Sequence, residues 1–273
     1  MLRNSQLSGG LSVFFFQFFI QAGVFFTIPL FLSVVLELSA LQTGLRLLPL
    51  SFALLVAAVG IPKLAPSARP RLIVRLGLAS MLAGTLTLIG GIDPGAGAGI
   101  VALPMLLMGL GIGALASQLG AVTVSAVPDR ESAEVGGLQN TVTNLGASLG
   151  TALVGAVLIA SLTTGLIHGV QASAAIPAEV KTQATTQFAP GVPFISDTDL
   201  EAQLQKADVP AAQADAVVQA NSDARLAALR ASLWAVALFT VAALFVTGLI
   251  PVEPVGRPER KGGPARAGPA GTG

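Results

Sequence analysis

The sequence contains no cysteine and no tyrosine, only one histidine and one tryptophan, and charged residues make up just 11% of its 273 positions. Each shortage closes off a class of function. Without cysteine there is no disulfide, no thiolate metal site and no cysteine nucleophile, although the redox compartment stays open. His168 stands alone, with no H-x-x-x-H spacing and no clustered carboxylates, so no metal site is expected. No basic face with interleaved aromatics occurs, and the formal net charge is +1, which gives no footing for nucleic acid as a partner. Soluble domains average about 25% charged residues; this chain falls well short of that.

What is present is apolar: 53% hydrophobic residues and a mean hydropathy of +0.77. Gly136 to Leu162 carries no charged side chain over more than the roughly 20 residues that cross a bilayer. Gly146 and Gly150 form a G-x-x-x-G pair, and Gly109 and Gly113 form another. In lipid there is no hydrophobic gain from helix association, so small residues that let backbones touch are the usual contact surface. Gly146 to Gly150 also matches G-x-S-x-G, the nucleophile elbow of serine hydrolases. That chemistry needs a strand-to-helix turn and a histidine base. Here no strand precedes the motif and His168 falls beyond the helix, so packing is the better reading and no enzyme is expected.

Taken in order, the chain predicts six spans. They are Leu11 to Val35, with Pro29 a kink; Arg46 to Leu64; Ile73 to Ile92; Ala98 to Ala126; Gly136 to Leu162; and Leu229 to Ile250. Met1 to Gly10 does not read as a removable signal peptide. Gly165 to Ala228 holds seven acidic residues (Glu179, Asp197, Asp199, Glu201, Asp208, Asp215, Asp223) against three basic ones, too polar for a membrane. Ser196 before Asp197 and Asp199 marks a helix start there. The expected division is therefore 1–164 with five spans, a polar extracytoplasmic loop at 165–228, the sixth span at 229–250, and a disordered basic cytoplasmic tail at 251–273.

Lys and Arg give the expected orientation. With both termini in the cytoplasm of a cell-membrane protein, Arg3, Lys63, Arg69, Arg71, Arg75, Arg130, Arg257, Arg260, Lys261 and Arg266 lie inside, ten of the 15 Lys and Arg residues. Amides are unevenly shared among the spans. Gln17, Gln21, Gln118, Asn140 and Asn144 sit in the first, fourth and fifth, and none sits in the third or sixth. At 1.5 Å per residue, Gln17, Gln118, Asn140 and Asn144 lie within roughly 6–12 Å of their inner ends. This layer suggests the wall of a water-accessible substrate cavity, with the third and sixth helices facing lipid. Glu37 and Arg46 flank the first outer turn and are expected to form an outer-surface pair or to act in gating. No Asp or Glu falls at mid-span, where a proton pathway usually places one.

Two stretches carry a resemblance. Leu38 to Pro49 is similar to a Ser-x-x-x-x-Gly-x-x-x-x-Pro pattern, and Pro128 to Gly150 to a penultimate loop and helix, of the 14-span drug:proton antiporter branch of the major facilitator superfamily. The chain resembles that branch's C-terminal half. The resemblance implies an all-α, polytopic fold of six transmembrane helices as two inverted three-helix repeats. It also implies a multidrug-efflux antiporter's role for the chain, no cofactor and a small amphipathic substrate. An N-terminal half-transporter, or a second copy, would be needed to close the cavity. Departures are Ser33 where many members have Gln, Glu37 where Gly is common, and a degenerate basic motif at Lys63 to Arg71. The alternative is a non-transporting membrane module that packs with another membrane protein.

Overall fold

In a computed structural model, residues 4–93, 95, 97–182 and 191–250 are described. The expected basic tail at 251–273 and Arg3 lie outside them. Among the described residues the chain is helical with no strand, and six helices are long and apolar enough to cross a membrane. They are α1 (Ser5–Leu30), α2 (Ala40–Leu64), α3 (Pro70–Gly91), α4 (Ala102–Val124), α5 (Ser132–Ala172) and α7 (Ala211–Val246). The short α6 (Asp197–Lys206) precedes the last.

Local chemistry sets several of the ends. Asn4 caps α1 by accepting from the Gln6 and Leu7 amides. Ser39 and Gln42 form a reciprocal capping box at the start of α2, and Ser196 caps α6 by accepting from the Asp199 amide. Pro29 lacks the amide that an α-helix needs, and just beyond it the chain widens into a π-turn at Phe31–Val35. Several hydroxyls inside the spans are satisfied by their own helices. Thr27 donates to the Gly23 carbonyl at 2.9 Å and Thr240 to that of Val236 at 2.8 Å.

The core forms where α1, α3, α4, α5 and α7 meet, around side chains such as Ile20, Leu78, Met108, Leu158 and Leu233. Helix α1 packs against α5 and α7, with the Phe19 and Phe239 rings stacked at 4.2 Å. Helix α4 is clasped on two sides. A methyl group at Gly109 or Gly113 would collide with the Leu50 or Leu54 carbonyl of α2, and one at Gly111 would collide with Gly77 and Met81 of α3. Gly146 and Gly150 likewise seat α5 on the Phe15 and Phe19 carbonyls of α1. Arginines tie α3 to α7 at both ends. Arg71 donates to the carbonyls of Ile250 and Gly248, each at 2.7 Å, and Arg75 to the Thr247 hydroxyl. At the opposite end Arg230 donates to the Ile92 carbonyl at 2.6 Å.

The polar region differs from its expected form. The boundaries at 164/165 and 228/229 both fall inside continuous helices, because α5 runs for 41 residues and α7 for 36. At 1.5 Å per residue α5 is about 60 Å long, twice the ~30 Å hydrocarbon thickness. The extensions pair because their inner faces stay apolar and small. A methyl group at Gly165 or Gly169 would touch Ala224 or Ala220, while Leu166, Val170 and Ile176 are buried. Sequence polarity marked the outward residues, and the inward ones kept the helices going.

Candidate functional site

The helices that are exposed along one side do not all turn the same chemistry outward. On α3, Leu72, Leu76, Ala79, Ala83 and Leu86 form one stripe at helical spacing, and on α7 Trp234, Leu238, Val241 and Phe245 form another. Neither stripe carries an amide. These faces suit hydrocarbon, where a side chain without polar atoms leaves nothing unsatisfied.

Helix α5 differs. Asn140, Thr141, Asn144, Ser148 and Thr151 are all exposed, interspersed with Leu145 and Leu149. Asn144 donates to the Asn140 side-chain oxygen at 3.2 Å, one turn away. That bond satisfies one donor and one acceptor out of the two donors and the acceptor oxygen that each amide presents. The rest need water, a ligand or another protein, since burying an unpartnered amide costs roughly 2–7 kcal/mol.

The other amides occupy different settings. Gln17 is buried on the α1 stripe that includes Val13, Ile20 and Val24, and its Oε1 has no partner. It points into the packed core and does not line an open face. Gln21 is half-buried one turn further along α1. Gln118 is half-buried on α4 and donates to the neighbouring Ser117 hydroxyl at 3.2 Å. Gln139, on the flank of α5, donates to Thr123 of α4. The five cavity candidates therefore do not gather on one surface: Asn140 and Asn144 are together, Gln21 and Gln118 are partly accessible, and Gln17 is enclosed.

Glu37 and Arg46 do not form the expected pair. The Glu37 carboxylate accepts from the Thr198 hydroxyl of α6 at 2.8 Å and makes no ion pair with Arg46. The physical reason is α6, which docks at the end of α1 where Glu37 lies and supplies the Thr198 hydroxyl to its carboxylate. Glu37 itself sits at φ 49°, a left-handed conformation that glycine adopts at less cost.

Sequence reasoning missed the polar knot beside it. Arg225, on α7, is 1% exposed. It donates to the Ile195 carbonyl at 2.8 Å, to that of Val34 at 3.3 Å and to the Asp197 carboxylate, which also accepts from Asn221. The knot fastens α6 to both α1 and α7. The available signal was Asn221 and Arg225 one turn apart on an otherwise small, apolar helix face. A buried guanidinium needs fixed acceptors, and the nearby acid-rich segment was where to look for them. Among the described residues no His, Cys, Asp and Glu cluster could hold a metal ion.

Comparison with known proteins gives this arrangement a context. The family model described as the Major Facilitator Superfamily matches residues 1–151. The chain is 33% identical over 165 residues to the tetracenomycin C resistance and export protein of Streptomyces glaucescens, covering 59% of this chain and 30% of that protein. It is also 33% identical over 133 residues to the uncharacterized transporter YebQ of Escherichia coli K12, covering 48% of this chain and 29% of that one. The chain thus spans less than a third of the length of these curated relatives.

Proposed function

Because the chain belongs to the major facilitator superfamily, we propose that its six helices are one half of a drug-exporting secondary transporter, the C-terminal half of the 14-span antiporter branch. It supplies one wall of a substrate cavity and is incomplete without further helices. The observation that carries this reading is the exposed Asn140 and Asn144 pair on α5, whose remaining amide groups lipid alone would leave unsatisfied. A cavity wall facing a small amphipathic substrate, or the opposing half, gives these groups partners.

Helix pairing supports two inverted three-helix repeats. Exchanging α1 with α4, α2 with α5 and α3 with α7 turns the α1–α5 contact into the α4–α2 contact, and leaves the α3–α7 and α1–α4 contacts in place. Such repeats rock around a midplane site in secondary transporters. The excess of Lys and Arg at the end holding the α2–α3 turn supports a cytoplasmic-membrane location with both termini inside. The export named for the Streptomyces relative supports efflux as the direction of transport.

Expression in an efflux-deficient bacterium tests the reading. The chain alone is expected to give no energy-dependent export of cationic dyes, because it has one half and no mid-span carboxylate. Co-expression with the complementary helices of a related exporter is expected to restore export, and Asn144→Leu to change dye preference more than Thr87→Leu on α3. Proton-dependent efflux by the lone chain, or no export in any pairing, would overturn it.

A further inference from the structure

Between α2 and α3 the bundle leaves a cleft of about 550 Å³. It arises from the glycines of α4. Gly109 and Gly113 draw α2 onto one side of α4, while Gly111 draws α3 onto another, so the two neighbours lean apart. Gly60 and Leu64 form one wall, Leu72 and Leu76 the other, and Leu110 and Ala114 the floor. The single hydroxyl in the lining, that of Ser80, donates to the Leu107 carbonyl at 2.7 Å and is turned away. What remains is hydrocarbon.

Two further features identify the occupant. The first is depth. The walls run from Val56 to Leu64 and from Leu72 to Ser80, nine residues each with a rise of about 12 Å, close to the ~15 Å of one leaflet's hydrocarbon. The second is charge at the mouth. Lys63 in the last turn of α2 and Arg69 at the N-cap of α3 are next in sequence to the lining residues Leu64 and Ala68. Both are exposed, and among the described residues neither side chain is hydrogen-bonded or ion-paired. Arg71 and Arg75 are committed to the end of α7. No acidic residue occurs between Glu37 and Asp93, so nothing on α2, the turn or α3 neutralises this end.

We propose that the cleft is a binding site for a phospholipid with an anionic headgroup, one acyl chain lying between α2 and α3 and the phosphate meeting Lys63 and Arg69. Ordinary boundary lipid slides past a smooth helix face. Here a chain gains contact on three sides and a headgroup gains two cations at the depth where its phosphate sits. The inference depends on the chain crossing a membrane and not on transport, so export assays and lipid binding fail independently.

Native mass spectrometry of the full chain, released from detergent with dioleoyl phosphatidylglycerol or dioleoyl phosphatidylcholine, tests it. Phosphatidylglycerol is expected to be retained about fivefold better for each basic residue that contributes, as juxtamembrane Lys and Arg do. Lys63→Gln with Arg69→Gln should bring the two lipids level. Gly60→Leu fills the cleft where a side chain meets open space, and should lower retention of both lipids. Gly90→Leu, equally open on α3, should change neither. Val56→Phe narrows the same wall and stands in should Gly60→Leu lose native helicity by circular dichroism. Equal retention of the two lipids by the unaltered chain overturns the proposal, as does unchanged retention in a folded cleft-filling variant. Displacement of phosphatidylglycerol by soluble glycerol phosphate also overturns it, because a free phosphate would then suffice.

Discussion

Helices α5 and α7 pack side by side, yet the sides they turn away from the bundle are made of different matter. On α7 the outward stripe through the membrane is Trp234, Leu238, Val241 and Phe245, with Phe245 81% exposed. On α5 it holds Asn140, Thr141, Asn144, Ser148 and Thr151. The two helices share one core and one membrane, so burial within the bundle cannot account for the contrast. What differs is the polarity of the side chains each face presents. The α7 side chains carry no polar group to satisfy, whereas the Asn140 and Asn144 amides of α5 satisfy only part of their hydrogen-bonding capacity between them.

A charge placed on each face should break the comparison most forcefully. Leu238→Arg sets a guanidinium against hydrocarbon, at a cost of about 2.5–3.5 kcal/mol. Ser148→Arg should lose under about 1 kcal/mol if its face meets water or protein, as an ordinary surface change does. Thermal unfolding in lipid nanodiscs reads the difference, and equal losses would make α5 a lipid-facing helix.

A smaller effect separates the seams from the faces. Gly146→Leu drives a side chain into the Phe15 carbonyl, and overpacking of this kind costs about 1–3 kcal/mol. Val241→Leu, on the open side of α7, should leave folded yield in detergent unchanged. Comparable yields for the two variants would mean that the α1–α5 seam tolerates separation.

Two labelling experiments cost the fold little. In this cysteine-free chain, Asn144→Cys should react with a water-soluble maleimide faster than Leu238→Cys, and faster still when the complementary helices are present and the cavity is open. Equal rates would remove the distinction between the faces. For orientation, Glu201→Cys on α6 should label in intact cells with an impermeant reagent, and Arg69→Cys only after the membrane is opened. Labelling at position 69 in intact cells would invert the topology.

The sequence carried the architecture well and the site unevenly, for physical reasons. Long apolar runs are a one-dimensional signal, so six membrane-crossing helices could be read without knowing how they pack. Glycine pairs pointed to seams, but not to which helix fills them; that Gly109 and Gly113 face α2 while Gly111 faces α3 needs the third dimension. Amides were a poorer guide. Gln17 and Asn144 look alike in a hydrophobic run, and only packing shows one enclosed in the core and the other exposed. Charge failed in the opposite sense. Arg225 read as one cation in an acidic loop, yet it is the largest of the fully buried side chains among the described residues. Its partners, Asp197 and the carbonyls of Val34 and Ile195, are remote in sequence.

The continuity of α5 past the membrane turns a packing detail into an instrument. A rod about 60 Å long, paired with α7 within the span at Val154 and beyond it at Gly165 and Gly169, can work as a pointer. A tilt of about 10° around its inner end would sweep the far tip by roughly 10 Å over that length. Motion too small to resolve between packed spans is thereby magnified outside them, in water, where spectroscopic labels are easily attached. Labels near Ala172 and on α6 would move together because the Arg225 knot links that helix to the same rod through α7. The outer hairpin is thus a built-in gauge, and its swing would report the angle of a helix whose own displacement the bilayer hides.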